Sequence, residues 1–210
     1  MNLLAVIILV SWLAGFAAFI GGVFARYERV EETQTKHEVV HGIVAFGGGI
    51  LLAAVAFALV PEGIAFLPPR ILAATFVLGG IAFCALDAQL AKRGGTKAQF
   101  MAMLMDFVPE AISLGAVFGH NRQLGVLLAL FIGAQNLPEG FNSLREIVAA
   151  GIRPRSALKA LLATSLLGPA SACLGYFFLQ EQEKLTAGIM CFAAGGILYL
   201  IFQDIAPQSK

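Results

Sequence analysis

Charge is what this sequence has least of. Only 13% of its 210 residues are charged, whereas 59% are apolar, and the mean hydropathy is +0.83. A water-soluble domain of this length cannot hide so much apolar surface, so lipid must cover part of it. The net charge is only +1, which leaves no basic surface for nucleic acid. Cysteine is scarce too. Cys84, Cys173 and Cys191 lie far apart inside apolar stretches and form no CxxC pair, so they read as small packing residues in helices. The apolar/polar alternation of barrel strands is missing as well. Irregular backbone is excluded from lipid, so helices are the spanning element that remains.

What the chain does have is a series of apolar runs, each long enough to cross a bilayer as a helix. They predict an all-α integral membrane protein of about seven transmembrane helices, forming one domain over 1–210. The spans are roughly 2–25, 41–61, 70–91, 99–118, 124–146, 156–179 and 185–205. The first run has no charged leader and is too long for a signal peptide, so it reads as a helix. The joints after spans one, three and five carry ten basic residues, from Arg26 to Lys159, whereas the other joints carry Arg70, Arg122 and Lys184. The excess of positive charge predicts that the first set is cytoplasmic, with the N-terminus outside. The compact loops suggest a bacterial inner membrane.

Two of the spans resemble each other. AFGGGILLAAVAFALVP (45–61) aligns with CFAAGGILYLIFQDIAP (191–207) at a constant offset of 146, pairing Phe46 with Phe192, Gly49 with Gly195, Leu52 with Leu198 and Pro61 with Pro207. The two spans cross in opposite directions, which is the pattern of an inverted repeat and a transporter architecture. Such a repeat predicts an eighth span after residue 207, beyond the sequence given. Glycine-rich stretches at 47–49 and 195–196 would permit close, sliding helix contacts.

Spans four and five share a five-residue pattern, DFVPE (106–110) and QNLPE (135–139). Each places an oxygen-bearing side chain four residues before a glutamate, hence on one helix face. Acids at mid-membrane cost roughly 2.5–3.5 kcal/mol each and persist when they pair, take up a proton or bind a cation. No basic residue lies at the same depth; Arg145 is six residues beyond Glu139. Pro109 and Pro138 would kink the helices and free the carbonyls of Met105 and Ala134 beside Asp106 and Gln135. Three carboxylates and an amide form an all-oxygen set suited to Mg²⁺, Mn²⁺ or Fe²⁺, and acceptable to Zn²⁺.

These residues resemble the ZIP (Zrt-/Irt-like) metal transporters, whose fourth and fifth helices carry HNxPEG-like motifs. QNLPEG (135–140) is a close match and DFVPEA (106–111) a looser one. GGILLAAVAFALVPEG (48–63), LLGPASACLGY (166–176) and FAAGGILYLIFQDIAP (192–207) are similar to the second, sixth and seventh helices. The resemblance implies an inverted-repeat bundle, here without its eighth helix. It further implies one metal site of Asp106, Glu110, Gln135 and Glu139 with Asn136 as helper. Phe107, Gly168 and Ala58 stand where family members often carry Asn, an acid and His. Phe107 and Gly168 would thereby remove ligands from a second metal position. The function implied is transport of a divalent ion (Zn, Fe, Mn or Cd) toward the cytoplasm, by rocking of one helix bundle against the other, with protonation of a site glutamate aiding release. No organic cofactor is implied. The partners are the metal ion and the lipid bilayer, and a homodimer is left open.

A rival reading comes from HEVVH (37–41), a literal HExxH in which His37 and His41 would bind zinc and Glu38 act as base of an intramembrane metalloprotease. It lacks a third ligand other than Asp87 and leaves the pairs on spans four and five unexplained. His37 and His41 could instead handle metal leaving the pore on the cytoplasmic side. A third reading is a homologue that binds metal without moving it. His120 reads as a solvated loop residue, and Glu62 and Asp204 as helix-end acids or path-lining groups.

Overall fold

The computed structural model describes residues 2–27, 34–92 and 98–208. Among these there is no strand, and seven helices are long and apolar enough to cross a membrane: α1 (Leu3–Tyr27), α2 (Glu38–Phe66), α3 (Pro69–Leu90), α4 (Phe100–Val117), α5 (Arg122–Ala149), α6 (Pro154–Leu179) and α7 (Glu183–Ile205). The chain is thus an all-α membrane bundle. Large apolar side chains remain exposed on its outside, among them Phe24, Phe46, Phe57, Val77, Ile81 and Phe178. Such a surface would be costly in water and suits a hydrocarbon surround.

Local chemistry sets the helix ends. Leu67 is extended, at φ −112° and ψ 142°, as the residue before Pro68 must be, and this separates α2 from α3. Asn121 caps α5, its side chain accepting from the Leu124 N–H at 3.0 Å. Gly151, at φ +86°, closes the same helix in a conformation that other residues resist. Pro154 opens α6, where its missing N–H costs nothing.

The helices pack as two groups. In the first, α1 lies along α5 and α6, and α4 along α5 and α6; in the second, α3 lies along α7 and α7 along α2. Three crossings inside these groups are built from reciprocal glycines. Gly21 of α1 rests on the Leu137 carbonyl of α5, and Gly140 of α5 on that of Ala18. Gly115 and Gly175 meet the carbonyls of Ala172 and Ile112 where α4 crosses α6, and Gly79 and Gly195 meet those of Phe192 and Phe76 where α3 crosses α7. A Cβ at any of these positions would strike backbone, so small residues set the helix spacing. Between the groups, α2 meets α5 and α4 meets α7, and there Gly47 of α2 faces a side chain, the Pro138 ring of α5.

Three helices are irregular. The helix that carries α2 runs as α-helix from Gln34 to Ala54, through a π turn (Val55–Leu59), into a second α-helical piece (Val60–Phe66), and α7 ends in a π turn at Ile201–Ile205. The two π turns are separated by the same 146 residues as the sequence repeat, and each comes just before one of the aligned prolines, Pro61 and Pro207. A proline cannot donate to the carbonyl four residues back and crowds it; one wider turn relieves the conflict. Pro61 therefore does not end α2, which runs five residues past the expected stop at 61. α6 is broken between Thr164 and Leu167. Pro169 cannot donate to the Ser165 carbonyl, and the Thr164 and Ser165 hydroxyls bond back to Leu161 (2.8 Å) and Leu162 (2.6 Å). By contrast, α4 and α5 continue as α-helix through Pro109 and Pro138, the expected kink positions.

Candidate metal centre

The turn between α4 and α5 is tight, closed by the Asn121 N–H on the Val117 carbonyl at 2.8 Å. The helices are therefore antiparallel neighbours, and their two motifs face each other in hairpin register. Glu110 pairs with Gln135, whose Nε2 donates to Glu110 Oε2 at 2.6 Å. Asp106 lies within hydrogen-bonding reach of Glu139 and also accepts from the Phe107 N–H at 2.7 Å. All four side chains are buried. The structure thus gathers Asp106, Glu110, Gln135 and Glu139 between α4 and α5. In this arrangement Gln135 and a backbone N–H take up carboxylate oxygens, and no three His, Cys, Asp or Glu side chains among the described residues converge as a metal cluster.

Acceptors are nonetheless left over. Gln135 Oε1, Glu139 Oε2 and Ser143 Oγ are buried without a hydrogen-bond partner, an arrangement that costs about 1–3 kcal/mol per group. They follow at four-residue steps along one face of α5. Arg145, the nearest cation along that helix, has its guanidinium 5.7 Å from the Phe141 ring centre. The chemistry offered is oxygen-rich, acidic and short of donors, which is what a hard or borderline divalent cation requires. Asp106 and Glu139 also line a narrow cavity, about 10 Å³, together with Met103, Leu51 of α2, and Leu200 and Asp204 of α7. It has room for about one water-sized particle and joins the acid pair to the end of α7.

Other residues singled out from the sequence lie elsewhere. Asn136 is one position round the helix from Gln135, and its amide donates to the Ala14 carbonyl at 3.0 Å, so it fastens α5 to α1. His41 is half-buried and Glu38 exposed at the start of α2, and the side chain of His37 lies outside the described residues. Asp87, the third ligand weighed for a protease, accepts from the Tyr199 hydroxyl at 3.0 Å. His120 is not a freely solvated loop residue: its Nε2 lies 3.4 Å from Glu62 Oε1. Ser143 was not singled out by the sequence, although it continues the Gln135–Glu139 spacing by one further step.

Phe107 and Gly168, two of the departures from the family pattern, face each other. The Phe107 ring tip lies 3.0 Å from where a Cβ on Gly168 would stand and 2.8 Å from one on Gly15. A buried phenyl ring (3% exposed) fills the space beside the four candidate residues, and it fits because two facing positions have no side chain.

The fold is that of a polytopic all-α membrane protein, and its motifs resemble those of the ZIP metal transporters. Comparison with known proteins agrees. Over 122 residues, 55% of the chain, it is 33% identical to the zinc transporter GufA of Myxococcus xanthus, covering 48% of that protein. Over 116 residues it is 24% identical to the zinc transporter zipt-7.1 of Caenorhabditis briggsae, covering 29% of it. The chain thus spans about half the length of the first relative and less of the second. No family model matches.

Proposed function

We propose that this chain carries a divalent metal ion of the zinc, iron or manganese class across a membrane, through a site formed by Asp106, Glu110, Gln135 and Glu139. The observation that carries the reading is the set of buried oxygens on facing sides of α4 and α5, of which Gln135 Oε1 and Glu139 Oε2 have no partner. An ion bound there would compensate the acids and satisfy those acceptors. The names of the relatives, zinc transporters in a bacterium and a nematode, support the cargo class. The excess of positive charge puts the N-terminus outside and the end of α7 in the cytoplasm. The cavity from Asp106 and Glu139 to Asp204 then points inward and serves release toward the cytoplasm. Movement of the α2–α3–α7 group against the α1–α4–α5–α6 group would alternate access. A bacterial inner membrane is the proposed location.

The test is zinc uptake into proteoliposomes. Wild type accumulates the ion; Glu110→Ala and Glu139→Ala each lower the rate by about 100-fold; Glu38→Gln leaves it unchanged. Uptake that survives loss of both glutamates sinks the reading, and binding without flux in the wild type reassigns the chain as a non-transporting binder.

A further inference from the structure

The Glu62–His120 pair joins the two helix groups at the end of the bundle opposite the cavity. We infer that Glu62 and His120 form a second divalent-cation site, of the zinc class, at the mouth that the proposed orientation places outside. The inference takes its cargo and its sidedness from the proposed transport function, but its geometry is independent of the central site.

Glu62 belongs to the last stretch of α2 and is 92% buried, at 8% exposure. The next residue, Gly63, is pressed against Cys191 Sγ of α7, which fixes the backbone that carries the carboxylate. His120 comes from the α4–α5 turn, where its N–H is held by the Val117 carbonyl at 3.1 Å. The ring meets Phe66 edge to face, with centroids 6.5 Å apart at 77°, so the plane of the imidazole is constrained as well. The two side chains reach each other from separate groups of helices, 58 residues apart in sequence.

The separation itself is informative. At 3.4 Å the pair is longer than a charge-assisted N–H···O bond of about 2.7–2.9 Å. It matches two ligands of one tetrahedral zinc: Zn–N near 2.05 Å and Zn–O near 2.1 Å, at about 109°, put nitrogen and oxygen about 3.4 Å apart. Imidazole and carboxylate are both zinc ligands. The His120 side chain keeps 24% of its surface, which leaves a route for water to complete the coordination shell. A nearby oxygen, Gln180 Oε1, lies 3.2 Å from where a Cβ on Gly119 would stand. Two protein ligands and water make a loose, exchangeable site, suited to collecting ions at the mouth.

The experiment counts bound zinc on the purified full chain in nanodiscs and records the X-ray absorption signature of imidazole coordination. The central set contains no histidine, so a signal that persists in a His37→Ala/His41→Ala background reports on His120. We expect the Glu110→Ala/Glu139→Ala protein to retain one zinc with imidazole coordination. That zinc is lost on adding His120→Ala or Glu62→Gln. It is also lost with His120→Gln, which keeps a donor to Glu62 and guards against loss through misfolding. In proteoliposomes His120→Gln raises the KM for zinc about tenfold and leaves kcat within about twofold. Absence of bound zinc from the folded central double variant, or an imidazole signal indifferent to His120, overturns the inference. If the wild type shows no flux but the imidazole-ligated zinc is present, the transport reading fails and the outer site stands.

Discussion

The tightest helix crossings inside the two groups differ in kind from the α2–α5 contact between them. Inside a group, the reciprocal glycines lie directly on a neighbour's carbonyl: Gly140 on Ala18, Gly195 on Phe76, Gly175 on Ile112. Between groups, Gly47 of α2 meets the ring of Pro138 of α5. Backbone-on-backbone contact has one distance at which it works, because carbonyl and peptide cannot rotate away. A contact through a side chain can be remade after a small slide. The first kind holds a body together, and the second is the kind that the proposed movement of the two groups would need. The candidate ligands all belong to one body, and their cavity is completed by residues of the other.

Three tests probe that contrast. The largest effect is expected from Gly140→Leu. Its side chain has no room above the Ala18 carbonyl, and the cost is about 3 kcal/mol or more. Monodisperse protein should disappear on size-exclusion chromatography in detergent, and a folded Gly140→Leu protein would refute the locked crossing. Gly168→Glu comes next. Alone it collides with the Phe107 ring and the Ser11 carbonyl and should lower the melting temperature; combined with Phe107→Asn, part of the loss should return. Recovery would identify the phenyl ring as the occupant of a convertible ligand position, and equal destabilisation by the single and double variants would contradict that. The smallest effect separates Asn136→Ala from Gly47→Ala. The former removes a bond inside one body and should cost about 1 kcal/mol in melting with zinc affinity unchanged. The latter adds a methyl 2.9 Å from the Pro138 ring, where the two groups meet, and should slow uptake severalfold while lowering melting far less than Gly140→Leu. A reversed pattern would dissolve the distinction.

Much of this was legible in the sequence, because a membrane span is a length of apolar chain and an i,i+4 pair shares a face. Seven helices and the facing of Asp106, Glu110, Gln135 and Glu139 needed nothing more. The family resemblance makes Asn136 a helper, yet one residue along a helix turns the side chain by about 100°, and its amide bonds to α1. The pairing of His120 with Glu62 spans 58 residues and depends on tertiary placement, which no local pattern reports. Pro61 and Pro169 were visible, but their consequences differ: a wider turn at one, a broken helix at the other. Which of these occurs is decided by the hydroxyls and packing nearby, as at Thr164 and Ser165.

The matched π turns at Val55–Leu59 and Ile201–Ile205 have a consequence for aim. A π turn holds about one residue more than an α turn, and each residue is about 100° of rotation about the helix axis. Side chains beyond it therefore leave the helix on a different bearing from the one an unbroken α-helix would give them. Glu62 lies three residues past the first of these turns, so the bearing on which its carboxylate meets His120 is set by the irregularity before it.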